Sequence, residues 1–166
     1  MRRILCFVLL AAAVKMTGLL PFQSSDVASL VPVEALTVDV SQNQVVLRGG
    51  DCQGFGEDWE AALADLRQSA EGKVFLGTAE QVIVSARALS YLPDVVRCEE
   101  LRPAAVLCVC PGEPPDPKAA AKYLSAHDAG VTIQHVQAAM LKETGMALPM
   151  LVNTEGGLRL YGSSNR

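Results

Sequence analysis

Two cysteines separated by a single residue are the first candidates for chemistry in this sequence. Cys108 and Cys110 end an apolar run, residues 104–110, that has the length of a β-strand. Residues two positions apart on a strand point to the same side, so both thiols would lie on one face of a sheet. Zinc sites usually separate their cysteines by two or more residues, and redox enzymes place Cys-x-x-Cys at a helix N-terminus. The pattern favours buried free thiols over a disulfide, and a disulfide over metal or redox chemistry.

Disulfide bonds between the remaining cysteines are left open by the sequence. Cys52 and Cys98 join the pair to make four cysteines beyond an apolar N-terminal segment that contains Cys6. Four cysteines in an exported chain permit up to two disulfides with three connectivities, and the spacing does not choose among them.

The two histidines, His127 and His135, are each expected to have a structural role at a helix end or in a half-buried position. A protonated histidine near a helix C-terminus is stabilised by the helix dipole without any catalytic function. The nucleophile motif G-x-S-x-G and the phosphate-binding P-loop are both absent from the sequence. These observations give no support to an enzyme.

Carboxylates also occur in pairs, but their spacing indicates structure. Glu57, Asp58 and Glu60 precede an amphipathic pattern, where acids in a first helical turn interact favourably with the dipole. Glu99 and Glu100 are expected to be a surface pair. The sequence therefore predicts a non-enzymatic protein with no catalytic residues, no cofactor and no metal.

The first 22 residues have the composition of a targeting segment. Arg2 and Arg3 precede an apolar run at residues 4–14, and after Lys15 the apolar character resumes through residue 22. We expect either a signal peptide, cleaved after residues 11–13, or a retained membrane anchor, because residues 4–22 approach the length that spans a bilayer. Residues 23–166 then form a single domain, located outside the cytoplasm.

The charge of that domain limits its partners. The whole chain carries a formal charge of −4, and without Arg2, Arg3 and Lys15 it has 11 basic and 18 acidic residues, a charge of −7. Nucleic-acid binding requires clustered Lys and Arg, and docking on an anionic membrane surface requires the same. Both are disfavoured.

The order of apolar patterns predicts an α/β (α+β) domain in which helices pack on a mixed β-sheet. A short helix is expected at residues 24–30, and a hairpin at residues 34–40 and 44–48. Further strands are predicted at residues 73–76, 80–85, 104–110, 148–152 and 158–161. Helices are predicted at residues 57–70, 93–99, 116–127 and 132–143, with a helical turn at 86–91. The inward side chains of the last two helices are predicted to include Ala120, Tyr123, Leu124, His127, Ile133, Val136, Ala139 and Met140.

Several weak motifs occur in an order that resembles the Ger(x)C family, the C subunits of spore germinant receptors. A strand containing Val38-Asp39 follows an acidic segment, and Gly56 with Trp59-Glu60-Ala61-Ala62-Leu63 resembles the family's next helix. Phe75 to Val96, the apolar run at 104–110 and Leu148-Pro149-Met150-Leu151 continue the likeness, which covers residues 24–160. The resemblance implies an exported, membrane-associated protein-interaction domain of a spore-forming Gram-positive bacterium.

Two departures from the family change that expectation. The sequence has no lipobox cysteine near Leu20-Pro21-Phe22, and this absence favours an uncleaved leader. The chain also corresponds to the family's first domain alone. The expected function is docking to envelope or membrane proteins, germinant-receptor subunits among them, in germination or sporulation. The alternative is an extracytoplasmic thiol-redox protein that uses Cys108 and Cys110.

Overall fold

A computed structural model of the protein describes residues 29–127 and 129–162. This part of the chain is a mixed α+β structure: a seven-stranded sheet carries four packed helices, and a separate pair of short parallel strands flanks it. The predicted fold class is thus confirmed. The predicted leader, residues 1–22, and most of the predicted helix at residues 24–30 lie outside the described residues, and Leu30 itself begins a strand.

The large sheet has the strand order β4-β3-β2-β6-β7-β8-β9. Its centre, from β2 to β8, is parallel, and antiparallel hairpins form both margins. The small sheet pairs β1 with β5 in parallel. The strands are β1 (Leu30–Pro32), β2 (Ala35–Ser41), β3 (Gln44–Gly49), β4 (Cys52–Gly56), β5 (Lys73–Phe75), β6 (Gln81–Ser85), β7 (Val106–Cys110), β8 (Met150–Thr154) and β9 (Gly157–Tyr161).

The turn chemistry explains the first hairpin. Gln42 and Asn43 connect β2 to β3 with φ values of 51° and 63°, as a two-residue turn between twisted antiparallel strands requires. The predicted hairpin at residues 34–40 and 44–48 is confirmed. The sequence pattern did not predict β4, whose two glycines interrupt the alternation of side chains that identifies a strand.

Four α-helices follow from recognisable signals. Helix α1 (Trp59–Ser69) begins after Asp58, whose Oδ1 accepts a hydrogen bond of 2.8 Å from the Ala61 N–H. Helix α2 (Leu92–Arg97) follows a 3₁₀ segment at Ala86–Tyr91. Helix α3 (Pro117–Ala126) has Asp116 as its N-cap and Pro117 at its first position, and helix α4 (Ile133–Leu141) follows a capping box at Thr132.

The large sheet has two faces, each with its own core. The first face is covered by α1, α2 and α4 and contains the larger cluster, which includes Leu36, Leu47, Leu66 and Leu107. The second face is covered by α3 and contains Ala35, Ile83, Cys108, Cys110, Ala120, Leu124 and Leu151. Because helices lie on both faces, β6 is buried along its whole length.

Two side chains predicted to face inward are exposed. His127 lies after the end of α3, where the backbone has turned to an extended conformation and no longer continues the apolar stripe. Met140 is 40% exposed because it occupies the last turn of α4, where Leu141 is exposed as well. The predictions for Ala120, Leu124, Ile133, Val136 and Ala139 are confirmed.

Candidate functional site

The Cys108 and Cys110 thiols lie on the second face of the sheet, side by side on β7 and beneath α3. Burial raises the pKa of Cys108 to about 12 and also raises the pKa of Cys110 above its usual value. The Cys110 thiol also lies 3.4 Å from the backbone oxygen of Glu113, to which it donates. A raised pKa lowers the thiolate fraction on which nucleophilic and redox chemistry depend. This geometry is that of core cysteines.

The other two cysteines do not join this pair. Cys52 lies in the core of the first face, and Cys98 ends α2 on the same side. All four cysteines of the described residues are free thiols. Since two thiols lie on each side of the sheet, neither Cys52 nor Cys98 can bond Cys108 across the layer of strands.

Both histidines serve the helix ends at which they occur. His127 Nδ1 lies 2.8 Å from the backbone oxygen of Tyr123, and the two rings stack with centroids 4.1 Å apart. His135 closes the capping box of α4 through Thr132. Within residues 29–127 and 129–162, no group of three or more His, Cys, Asp or Glu side chains is placed to hold a metal ion.

The acidic residues singled out in the sequence are structural too. Asp58 caps α1, Glu60 lies in its first turn, and Glu57 precedes the helix. Glu100 forms an ion pair with Arg67. None of these carboxylates lies close to the thiol pair in the fold, because they belong to the layer of helices on the first face.

The structure contains an ion pair with a buried carboxylate that was not predicted from the sequence. Asp39, near the carboxyl end of β2, is 5% exposed, and its Oδ2 lies 2.6 Å from Nη2 of Arg87. Its Oδ1 accepts from the Val40 N–H at 2.8 Å. The two oxygens are therefore both satisfied, which makes this pair a structural connection between β2 and the segment after β6. The only available signal was a charged residue within a predicted strand.

The β8–β9 hairpin presents two exposed large hydrophobic side chains, and three more lie in or just after the last turn of α4. Five of the eight exposed large hydrophobic side chains occur between Met140 and Tyr161, while Phe55, Phe75 and Leu89 are scattered elsewhere. Met150 and Tyr161 are directly opposite each other on the two strands and are 44% and 48% exposed. We call the first face of this hairpin, formed by Met150, Val152, Arg159 and Tyr161, the hairpin face.

The hairpin face is exposed because the layer of helices ends before it. Leu151 and Leu160, which point to the opposite side, pack in or against the core of the second face. Residues on the first face of β9 are exposed at every position, Gly157, Arg159 and Tyr161. On its first face, the sheet thus extends two strands beyond the described helices that cover its centre.

The outer edge of β9 is partly protected. The Leu160 N–H donates to the Tyr123 hydroxyl of α3 at 3.2 Å, so one backbone donor at this edge already has a partner. Edge strands that keep such groups free readily pair with other chains. The Tyr123 hydroxyl already occupies one backbone donor at the edge of β9. The side chains of the hairpin face are therefore more available for contact than the backbone of that edge.

Comparison with known protein families, with curated proteins and with solved structures finds no match. In the part of the chain that the structure describes, no helix is long and apolar enough to cross a membrane.

Proposed function

We propose that this chain is a non-enzymatic interaction domain that binds a partner protein through the hairpin face. The observation that carries the proposal is the exposed Met150–Tyr161 cross-strand pair, on a part of the sheet whose first face no helix of the described residues covers. Exposed apolar patches on a folded domain mark interaction surfaces, and aromatic and methionine side chains are enriched in protein interfaces.

The occupant that best fits this surface is an amphipathic helix of the partner. The first face of the central strands is covered by α1, α2 and α4, and one further helix would continue that layer over β8 and β9. A partner strand fits less well because Tyr123 already occupies one backbone donor of the β9 edge. The apolar stripe of a helix would contact Met150 and Tyr161, and an acidic residue beside it would meet Arg159.

The cellular location of this interaction and the process to which it belongs are inferred from the sequence alone. The apolar N-terminal segment and the ordered likeness to Ger(x)C proteins support an extracytoplasmic, membrane-associated domain that acts in spore germination or sporulation. The partner would be an envelope or membrane protein, such as a subunit of a germinant receptor. Thiol-redox chemistry at Cys108 and Cys110 stays the alternative, although the raised pKa of Cys108 does not favour it.

Site-specific photo-crosslinking in the native host tests the proposal. A photoreactive amino acid at position 150 is expected to form an adduct with an extracytoplasmic protein, and peptide mapping should place the bond on the apolar side of a helix. The same group at Gln68, an exposed position on α1, provides the background.

A matched pair of variants distinguishes binding through the hairpin face from nonspecific binding to any exposed apolar side chain. Tyr161→Lys should abolish the adduct, whereas Phe55→Lys should leave it unchanged, because Phe55 is exposed to the same extent, 47%, but lies on the opposite margin of the sheet. Loss of the adduct in both variants would contradict the proposal. So would adducts that join two copies of this chain, or equal yields from positions 150 and 68.

A further inference from the structure

A groove lies between the last turn of α1, the short strand β5 and the residues that follow α2. Its lining includes Arg67, Lys73, Phe75, Glu99 and Glu100, and its volume is about 780 Å³. Because α1 packs on β3 and β4, the groove lies away from β8 and β9 and thus from the hairpin face. A groove of this volume accommodates a small-molecule ligand.

Phe75 gives the groove an exposed aromatic ring. Its side chain is 45% exposed, whereas the neighbouring Val74 and Leu76 are buried. A Cβ atom added at Gly77 would lie between 3.0 and 3.6 Å from Cζ, Cε2 and Cε1 of the Phe75 ring. The glycine therefore lies against the outer end of the ring, which rests on the backbone there. The other face of the ring is left available to a ligand.

The charges of the groove balance. Arg67 and Glu100 form an ion pair with each other. Lys73 and Glu99 are exposed, and neither forms an ion pair within the described residues. Two basic and two acidic side chains therefore favour neither an anion nor a cation as the ligand. The Lys73 ammonium donates hydrogen bonds and the Glu99 carboxylate accepts them, so the groove suits a neutral ligand whose hydroxyl groups do both.

We propose that this groove binds a neutral saccharide of β-linked glucopyranose units, one of which stacks on Phe75. The hydroxyl groups of such a unit are equatorial, so both faces of the sugar present C–H groups. These carry a small positive charge and are attracted to the negative face of an aromatic ring. The equatorial hydroxyls donate to Glu99 and accept from Lys73. The site is independent of the protein interaction proposed for the hairpin face.

Titration of the purified full chain with cellotriose, a trisaccharide of β-linked glucose, tests the site by NMR. The Gly77 amide and the Phe75 ring resonances should shift saturably, and C–H protons of the bound sugar should move upfield because they lie over the ring. Since the ligand is uncharged, its affinity should change by less than about twofold between about 50 mM and about 500 mM NaCl. No saturable shift at Gly77, or a steep loss of affinity with salt, would overturn the proposal.

Matched substitutions separate stacking from nonspecific contact. Phe75→Ala should weaken the binding of cellotriose at least about tenfold, because it removes the stacking surface. Phe55→Ala should leave the affinity unchanged, since Phe55 is 47% exposed but belongs to β4 and lies outside the groove. Glu99→Ala should weaken binding by about threefold to tenfold, and Glu57→Ala, at an exposed carboxylate outside the groove, should not.

Equal affinities of the Phe75→Ala and Phe55→Ala variants would overturn the proposal. If Phe75→Ala does not fold, Phe75→Leu provides the same comparison, because leucine keeps an apolar contact with Gly77 but has no aromatic face.

Discussion

The guanidinium of Arg87 lies 2.6 Å from the carboxylate of Asp39, across 48 residues of sequence. Asp39 is almost completely buried, whereas the Arg87 side chain is about half exposed. This pair joins the carboxyl end of β2 to the segment that follows β6, the two parallel strands at the centre of the sheet.

Arg87→Ala should lower the free energy of unfolding by about 1–3 kcal/mol, because it leaves the buried Asp39 carboxylate without its charged donor. Urea denaturation measures the change. Arg97→Ala is the matched control, since Arg97 is exposed and belongs to no ion pair of the described residues, and its effect should stay within about 0.5 kcal/mol. Equal effects of the two substitutions would show that the Asp39–Arg87 pair contributes nothing.

Tyr123→Phe should expose the β9 edge. The substitution keeps the ring that stacks on His127 but removes the hydroxyl that accepts from the Leu160 N–H. We expect a loss of about 0.5–1.5 kcal/mol in stability and faster hydrogen exchange of the Leu160 amide, measured by NMR. Unchanged exchange at Leu160, with Tyr91→Phe as the control, would mean that the hydroxyl does not protect this edge.

The Cys108 thiol should make the protein sensitive to alkali. Its pKa is about 12 in the folded protein against an ordinary value of 9.0, so between these values the unfolded chain releases a proton that the folded chain keeps. Proton release favours unfolding, so this contribution to stability is complete below pH 9 and is lost as the pH rises towards 12. The expected slope is at most about 1.4 kcal/mol per pH unit.

Cys108→Val should flatten that alkaline loss while leaving stability at neutral pH nearly unchanged. Urea unfolding at about pH 8 and about pH 10 measures both quantities. Thiol titration of the native protein provides an independent check: Cys108 and Cys110 should react slowly until the protein unfolds. Two fast-reacting thiols would instead favour the redox alternative.

Gly54→Ala should strongly destabilise the protein because α1 packs directly on β4. A Cβ atom at Gly54 would lie 2.7 Å from the backbone Cα of Leu66 and would also collide with the backbone of Ala62. Since neither backbone can move without displacing the helix, we expect a loss of about 3 kcal/mol or more. Gly112→Ala is the control, because a Cβ there meets no atom within 4 Å. Similar unfolding midpoints for the two variants would contradict this close packing.

The helices and most strands could be predicted because their signals are local. The Asp58 cap and the apolar stripe predict α1, and two turn residues predict the β2–β3 hairpin. Strand β4 escaped prediction because Gly54 and Gly56 carry no side chains that could alternate. The two glycines allow α1 to pack directly on β4, and this role is evident only in the tertiary structure.

The surroundings of the candidate site residues were harder to predict from the sequence than the secondary structure. Cys108 and Cys110 attracted attention by their spacing, yet their environment is the apolar core under α3. Gln81, within a β-rich segment, gave no signal at all. Gln81 is distinguished by a side-chain oxygen without a hydrogen-bond partner among the described residues. It lies between Ala35 and Val106 in the sheet, and both of these residues are far from it in the sequence.

By itself, the sequence determined the kinds and the order of the helices and of most strands, β1 and β4 excepted, since periodicity and capping act over a few residues. The tertiary structure alone decided which faces are covered. Helix α3 crosses to the second face and buries the thiols, whereas the other helices leave the hairpin face free. Secondary structure could be predicted and coverage could not, because burial depends on contacts between segments that are distant in the sequence. A strand with alternating apolar residues has the same sequence pattern whether or not a helix covers it.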